Sequence, residues 1–297
     1  MAEKRVVFDF DLTFANGGGL QGQDFRLDIE GDGIDDDALA AFIIRDLRLL
    51  MVDRVAILNK RIIEEPHKRA AAARARHGGA KLVDLSHVID GGMITYKGLP
   101  APIVCDHLSR VASRAAYAPG TEFQIGRIEM VGNTGTYLDT PYHRFADGYD
   151  LARLPLDNAA DLPGVVIRVT GAAGRAIDWP MLAAVEVRDR AVLIETGWSR
   201  HWRTDAYFEG HPYLTEKAAI WLRDQGARLV GVDSLNIDDT ADLRRPVHTV
   251  LLEAGIPIVE HLTNLSSLPA EGFRFCAAPP KVAGMGTFPV RAHAVLD

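Results

Sequence analysis

Cysteine is scarce in this sequence, with only Cys105 and Cys276 among 297 residues. The two thiols have neither metal-cluster nor redox-pair spacing, and they are too few for the disulfide framework of a small secreted domain. We therefore expect free thiols in a reducing compartment, and we interpret the chain as cytoplasmic.

Long apolar runs are also missing. No window approaches the run of about twenty apolar residues that spans a bilayer, so we expect no membrane helix. Near the N-terminus, Asp9 and Asp11 interrupt the apolar residues of segment 6–12. Such interruption is not typical of a signal peptide, so we expect none here.

Positive charge is not in excess. The 33 Lys and Arg residues face 40 Asp and Glu residues, which gives a net charge of −7. This balance gives no electrostatic reason to expect nucleic acid or an anionic membrane as a partner. The hydrophobic share of 47% and charged share of 25% are ordinary for a globular protein.

The sequence predicts a boundary near residues 68–80. Residues 68–76 are basic and rich in alanine, and a Gly-Gly pair follows, which is typical of a solvated helix that ends at glycine. A basic stripe could contact nucleic acid, but its shortness and the acidic chain favour the solvated helix. We divide the chain into an N-terminal extension, residues 1–80, whose role the sequence does not indicate, and a second domain, residues 81–297.

The extension shows two periodicities. Residues 5–14 and 23–29 alternate between apolar and polar side chains, which predicts two strands, and the Gly-rich segment 16–22 predicts a hairpin connection. Apolar residues then recur at helical spacing from Leu39 to Leu50, after an acidic start at residues 35–37. We expect a small α+β unit.

The second domain is rich in strands. Strands are predicted at residues 81–87, 165–169, 191–195, 229–233 and 256–260, and those at 165–169 and 191–195 are expected to be buried. Helices are predicted at residues 216–225, capped by Thr215, and at residues 247–254, ended by Gly255. This mixture predicts the α/β class.

Three motifs in the extension match known patterns by letter only. Gly17-x-Gly19-x-x-Gly22 matches the dinucleotide fingerprint, but a strand follows where that mechanism needs a helix N-terminus. Residues 28–33 resemble the start of a calcium loop, whose twelfth position is Leu39 instead of glutamate. Residues 9–13 resemble a phosphatase motif but lie within a strand. We interpret them as a hairpin, a polar turn and a solvated strand face.

Residues 133–143 carry the strongest functional signal, Asn-Thr-Gly-Thr-Tyr-Leu-Asp-Thr-Pro-Tyr-His. The segment resembles the signature His-x-Gly-Thr-His-x-Asp-x-Pro-x-His of the cyclase family, which includes bacterial kynurenine formamidases and isatin hydrolases. The Gly-Thr pair, the Asp, the Pro and the final His are in register. The first two His of the family pattern, which are metal ligands there, are replaced by Asn133 and Tyr137.

Two later segments extend the resemblance. In the family, a His and a Glu twelve residues apart hold a second metal together with the signature Asp. Here these residues are His248, Glu260 and Asp139. The resemblance implies a divalent metal, with Zn or Mn foremost and Fe also suitable. It further implies that His143 acts as a catalytic acid and base beside Asp139.

The chemistry of these side chains agrees with that implication. One nitrogen and two carboxylates suit such a metal and leave positions for water and a substrate carbonyl. Asn133 and Tyr137 offer a neutral amide and a phenol, so we expect the family's first metal site to be empty or weak. We expect both side chains to bind substrate instead. Trp198, in a Thr-Gly-Trp-Ser segment that the family shares, is also expected to contact substrate.

Each proposed ligand has an ordinary structural alternative. His248, on a partly apolar helix, could be a satisfied core residue. Glu260 could pair with Arg244 or Arg245, and Asp139 before Thr-Pro could form a turn. The coincidence of all three with one ligand spacing favours a metal site.

The resemblance covers residues 81–297 and implies an α/β fold with a barrel-like β core and flanking helices, assembled as a homodimer or homotetramer. We predict a metal-dependent amidohydrolase that cleaves a non-peptide C–N bond, in an amide or cyclic imide, or else a lactone, of a small molecule. Two alternatives stay open. One is a metal-free lyase or cyclase that uses His143 and Tyr137, and the other is a non-catalytic binding protein on a degenerate hydrolase fold.

Overall fold

The computed structural model describes residues 3–29, 33–47, 49–65 and 81–296. Backbone contacts divide the chain into two compact units, residues 1–79 and 80–297. The predicted boundary segment, residues 68–80 with its basic helix, lies outside the described residues. Every helix in the described ranges is too short or too polar to cross a bilayer.

The N-terminal unit is a three-stranded antiparallel sheet with one helix. Its elements are β1 (Glu3–Phe14), β2 (Gly19–Asp28), α1 (Asp36–Asp46) and β3 (Val52–Glu65). β1 pairs with both other strands. Phe8 and Leu12 of β1 pack in one buried cluster with Leu39 and Ile43 of α1. This is the α+β arrangement that the two periodicities predict.

The ends of these elements differ from the sequence prediction. β2 begins at Gly19, so the predicted loop 16–22 is shortened, and a strand follows the glycines as a hairpin requires. Asp35 caps α1 by accepting a hydrogen bond from the Ala38 amide at 2.7 Å. The helix ends at Asp46 and does not reach Leu50. The calcium-like segment falls partly on residues 30–32, outside the described ranges.

The second unit contains thirteen further strands and three helices among its described residues. The strands are β4 (Lys81–Asp84), β5 (Ile103–Leu108), β6 (Ile125–Glu129), β7 (Tyr137–Asp139), β8 (Leu162–Arg168), β9 (Ala176–Ile177), β10 (Ala191–Glu195), β11 (Tyr213–Leu214), β12 (Leu229–Val232), β13 (Ile258–Glu260), β14 (Glu271–Cys276), β15 (Thr287–Pro289) and β16 (His293–Leu296). The helices are α2 (Arg110–Ser113), α3 (Glu216–Asp224) and α4 (Pro246–Glu253).

Nine of these strands form one sheet that curls into a half-barrel, in the order β15-β7-β13-β12-β10-β8-β14-β16-β4. The four central strands, β13, β12, β10 and β8, run parallel. β7 is antiparallel to both β13 and β15. The expected α/β fold with a barrel-like core is confirmed. The predicted strand 256–260 begins later, at Ile258.

Alternating side chains of the sheet build two apolar layers. Leu193 of β10 and Leu138 of β7 pack in the layer on one face. Val192 and Ile194 of β10 point to the other face, where α3 and α4 cover them. Since successive residues of a strand point to opposite faces, buried runs such as 191–195 fill both layers.

Candidate metal centre

β7 gathers the site because it lies between two partner strands. Its Asp139 stands opposite Thr287 of β15, and its Tyr137 stands opposite Glu260 of β13. Leu138, between them, points into the apolar core. The alternation of a strand therefore sends Tyr137 and Asp139 to the same face, where residues more than 120 positions away in sequence meet them.

The turn after β7 positions His143. Residues Pro141–His143 form a single 3-10 turn, and the Thr140 amide before it donates to the carbonyl of Gly286 at 2.8 Å. A Cβ atom on Gly286 would lie 2.3 Å from the backbone nitrogen of His143. Only glycine at position 286 permits this close approach of the two segments.

His248 is held by the N-terminus of α4. The carboxylate of Asp238 accepts hydrogen bonds from the amides of Val247, at 2.7 Å, and His248, at 3.0 Å. Its Oδ2 also lies 2.6 Å from His248 Nδ1. With the Nδ1 proton donated to Asp238, His248 Nε2 is left as a lone-pair donor toward the cavity, the usual support of a metal-binding histidine.

Glu260 is buried and fully engaged. Its Oε1 accepts a hydrogen bond from the Ile237 amide at 2.7 Å, and its Oε2 accepts one from the Tyr137 hydroxyl at 2.6 Å. Neither Arg244 nor Arg245 pairs with it, in contrast to the structural alternative considered from the sequence. Arg244 instead pairs with Asp242.

His248 lies next to a carboxylate oxygen of each of the other two predicted ligands. His248 Nε2 lies 3.8 Å from Asp139 Oδ2 and 3.8 Å from Glu260 Oε1. Ligand atoms about 2.1 Å from a tetrahedral cation are separated by roughly 3.4 Å, so this spacing is close to that of a bound ion. Asp139 Oδ2 is buried without a hydrogen-bond partner among the described residues. The donor set therefore fits a divalent cation.

Among the described residues, the group of mutually close ligand atoms contains His143 in place of Glu260. One ligand atom from each of Asp139, His143 and His248 falls within a mutual 4.8 Å. His143 Nδ1 lies 2.8 Å from Thr287 Oγ1, and this hydroxyl makes a short hydrogen bond to Asp139 Oδ1. If the hydroxyl donates to the carboxylate, then Nδ1 carries the proton and Nε2 of His143 is the free base.

Burial and charge shift the pKa values of these groups. Burial favours the neutral form of Asp139, but the neighbouring His143 and His248 outweigh it and hold the Asp139 pKa below its usual range. Burial, with the nearby Asp139 charge, raises the pKa of Glu260 to about 7. Burial acts against a charged His248, but the neighbouring carboxylates of Asp139, Asp238 and Glu260 outweigh it and raise the His248 pKa to about 10. A cation bound at Nε2 would therefore take the place of a proton. A buried cluster of this kind favours bound positive charge.

The site opens into a cavity of about 230 Å³. Five predicted site residues line the cavity, namely Asn133, Tyr137, His143, His248 and Glu260. The other lining residues, which the sequence did not indicate as site residues, are Tyr96, Leu99, Arg144, Asn236 and Arg245. Asn133 and Tyr137 thus lie where substrate contact was predicted. Trp198 does not line this cavity. Its indole Nε1 donates to the carbonyl of Tyr207 at 3.0 Å, and its ring packs against His201.

Tyr137 belongs to a buried chain of polar side chains. Tyr207 Oη lies 2.8 Å from His261 Nδ1, and His261 Nε2 lies 3.4 Å from Tyr137 Oη. Burial lowers the pKa of His261 to about 3, so this imidazole is neutral. Neutral His261 can accept a hydrogen bond at Nδ1 from the Tyr207 hydroxyl and donate one from Nε2 to the Tyr137 oxygen, and the Tyr137 hydroxyl donates to Glu260.

Sequence reasoning missed two supporting residues, Asp238 and Thr287. Asp238 carries no local signal, since it lies nine residues before Val247 in a polar loop. Thr287 belongs to segment 281–291, which resembles the closing segment of the family, but the spacing of residues gives it no role. Both become recognisable only when the strands and α4 are placed.

A family model and several known proteins are similar to this chain. The Cyclase family model, described as "Putative cyclase", matches residues 83–239, which include Asp139 and His143 and end before His248. A kynurenine formamidase of Erythrobacter litoralis is 29% identical over 165 residues, or 55% of this chain and 73% of the relative. A kynurenine formamidase of Delftia acidovorans is 28% identical over 179 residues, or 60% and 83%.

Solved structures are similar over the second unit. A predicted metal-dependent hydrolase from Bacillus stearothermophilus is 28% identical, with a TM-score of 0.57 over 73% of this chain and 98% of that one. Isatin hydrolase A from Ralstonia solanacearum is 24% identical, with a TM-score of 0.66 over 78% and 98%. This second likeness concerns the fold.

Proposed function

Because this chain belongs to the cyclase family, we propose that it is a metal-dependent hydrolase of an amide C–N bond in a small molecule. Its relatives are named kynurenine formamidase and isatin hydrolase. We extend their shared class, hydrolysis at an amide carbonyl, to this chain. The bond is expected in an open amide or a cyclic imide, and a lactone is a related substrate.

One observation carries the proposal. Asp139 Oδ2 is fully buried, ionised and without a hydrogen-bond partner in the described ranges, and it faces His248 Nε2 at 3.8 Å. Leaving a buried carboxylate oxygen unpaired costs several kcal/mol unless a cation satisfies it. We assign the cation to Asp139, His248 and Glu260, with Zn or Mn as the expected metals.

The groups around that position have different roles in the proposed hydrolysis. A divalent cation supplies Lewis acidity that polarises a carbonyl and lowers the pKa of water. His143, half-exposed at the cavity with its tautomer set by Thr287, takes a proton from water and passes it to the leaving nitrogen. Asn133 lies in the same cavity and can donate a hydrogen bond to the substrate carbonyl.

A metal-free mechanism with Tyr137 as the acid is less well supported. The hydroxyl of Tyr137 already donates to Glu260, and the side chain is 1% exposed. Burial and the nearby carboxylates of Glu260 and Asp139 raise its pKa well above the usual value. Such a phenol donates a proton poorly to a substrate at neutral pH.

Elemental analysis of protein purified without added metal or chelator tests the assignment. We expect close to one divalent ion per chain in the wild type and a loss of that ion in Asp139→Ala/His248→Ala. The matched control is Asp106→Ala/His107→Ala, which removes exposed residues of the same types. Formanilide hydrolysis should follow the metal content. Wild-type protein that stays metal-free when Zn or Mn is offered would contradict the proposal.

We further propose a homo-oligomer, dimer or tetramer, in the cytoplasm. Support for assembly comes from the β5–β6 pair, whose Ile103, Val104, Ile125 and Ile128 are all exposed. Exposed apolar patches of this kind favour association. Light scattering on the purified protein measures the assembly, and a monomer at micromolar concentration would contradict this part of the proposal.

A further inference from the structure

We propose that Arg245 and Arg144 form an anion-binding subsite in the cavity of the metal centre, and that the molecule bound there carries a carboxylate group. The identity of that molecule as a substrate rests on the proposed function, whereas the anion subsite itself does not.

Both arginines are placed beside the candidate catalytic groups. Arg245 is the N-cap residue of α4 and stands three residues before His248 in the sequence. Arg144 directly follows His143, and its Nε donates to Thr249 Oγ1 at 3.3 Å. Both arginines line the cavity together with His143 and His248.

Neither guanidinium is neutralised within the described ranges. Arg245 Nη1 donates to two neutral carbonyls, of Asp239 at 2.8 Å and of Asp242 at 3.4 Å. No carboxylate of a described residue lies within 4.0 Å of Arg245 or Arg144. The adjacent Arg244, in contrast, pairs with Asp242 at 2.7 Å and points into solvent. Arg245 and Arg144 therefore bring charges without a carboxylate partner among the described residues to the cavity lining.

The backbone of Arg245 indicates that its position is enforced. The residue has φ of +51°, a left-handed conformation that costs a non-glycine residue about 1 kcal/mol or more. Its Nη1 bonds to the carbonyls of Asp239 and Asp242 fix the side chain, while Nη2 and Nε have no partner among the described residues. A strained residue that keeps two donors free beside a cavity is typical of a ligand-binding position.

The charges in the cavity favour a carboxylate over a more highly charged anion. The carboxylates of Glu260, which lines the cavity, and of Asp139, which lies 3.8 Å from His248 of the lining, repel anions unless a cation neutralises them. Arg245 and Arg144 bring two positive charges to the cavity lining. The planar guanidinium matches a carboxylate with two parallel hydrogen bonds. A small molecule that binds through its carboxylate there can place an amide near His143. The cavity volume of about 230 Å³ suits a ligand of that size.

Calorimetric binding of a matched pair of probes tests the subsite in the intact, metal-loaded protein. The probes are 2-formamidobenzoate and 2-formamidobenzamide, which differ in the charge of one group. We expect the wild type to bind the carboxylate at least tenfold more tightly. Arg245→Gln and Arg144→Gln should each reduce that preference at least fivefold. Arg244→Gln, which removes the neighbouring exposed arginine paired with Asp242, should leave it unchanged.

Controls separate the possible failures. Arg245→Gln could unfold the loop whose carbonyls Arg245 binds, so Arg144→Gln and Arg245→Lys are second tests of the subsite. The lysine keeps the positive charge and loses the paired donors of the planar guanidinium. Equal affinity for both probes in the wild type would overturn the proposal. A preference that survives in Arg144→Gln/Arg245→Gln would also overturn it, because the carboxylate would then bind the metal.

Competition with inorganic phosphate is a further part of the test. If phosphate displaces 2-formamidobenzoate as effectively as benzoate does, the assignment to a carboxylate is wrong. Absence of formamide hydrolysis together with an intact, arginine-dependent carboxylate preference would remove the proposed function and leave the subsite standing.

Discussion

The hydroxyl of Tyr137 donates to Glu260 Oε2 at 2.6 Å across the β7–β13 pair. In the family pattern a histidine ligand of the first metal stands at position 137. Here a phenol proton satisfies the carboxylate oxygen instead, and His261 stands on the far side of the phenol at 3.4 Å. The Tyr137 hydroxyl therefore links Glu260 to His261 in one polar network, at the position where the family pattern has a metal ligand.

Restoring both histidines should therefore restore a metal site. In Asn133→His/Tyr137→His, we expect metal content to rise from about one to about two divalent ions per chain, because two imidazoles and the shared Asp139 would face the same cavity. Elemental analysis after Zn or Mn loading measures this. The single variant Tyr137→Phe, which removes the hydroxyl without adding a ligand, is the control. A double variant that still holds one ion or none would contradict the interpretation.

Asp238 should control metal affinity without touching the metal. Asp238→Asn keeps the size of the side chain but weakens the bond to His248 Nδ1 and the two amide contacts at the start of α4. We expect metal affinity to fall about 10–100-fold, as for other supports of ligand histidines. Competition with a chromophoric chelator gives the dissociation constant. Asp242→Asn, which removes a partly exposed loop carboxylate paired with Arg244, should match the wild type. An unchanged affinity in Asp238→Asn would remove the supporting role.

Gly286→Ala should displace His143. The added Cβ would lie 2.3 Å from the backbone nitrogen of His143, so the turn after β7 must move. We expect a destabilisation of about 2–4 kcal/mol and a large loss of hydrolysis. Gly91→Ala is a suitable control, since its Cβ would meet nothing nearer than the Pro102 carbonyl oxygen at 4.0 Å. Chemical denaturation and formanilide turnover report the two effects, and wild-type values for both would show that the close approach is unimportant.

The sequence predicts features that depend on neighbouring residues, and it does not predict contacts between residues that are distant in the sequence. The apolar run at residues 191–195 predicts β10 to the residue, and Thr215 predicts the start of α3, because both depend on neighbouring residues. Thr287 could not be found this way. It meets Asp139 from 148 positions away, and only the pairing of β7 with β15 brings them together.

Trp198 shows that a local motif does not fix the direction of a side chain. The family-like segment suggests an aromatic wall, but the side-chain direction depends on the turn that follows Gly197, whose φ is +75°. That turn brings the indole to the Tyr207 carbonyl, away from the residues that line the cavity. A substrate role for Trp198 stays a prediction, and composition alone cannot decide the direction of a side chain.

His87 should make stability depend on pH at a place away from the metal ligands. Its ring stacks on Trp202 at 4.1 Å, and burial, together with the charge of Arg203, lowers its pKa to about 4. Between the usual value near 6.5 and pH 4, the unfolded chain binds this proton and the folded chain does not, so stability falls as pH falls through that range. After allowance for the partial exposure of the ring, we expect a loss of about 2 kcal/mol. His87→Phe keeps the stack and cannot titrate, so its melting temperature should decline less than that of the wild type between pH 7 and pH 4.5. Parallel declines in the two proteins would show that His87 is not responsible.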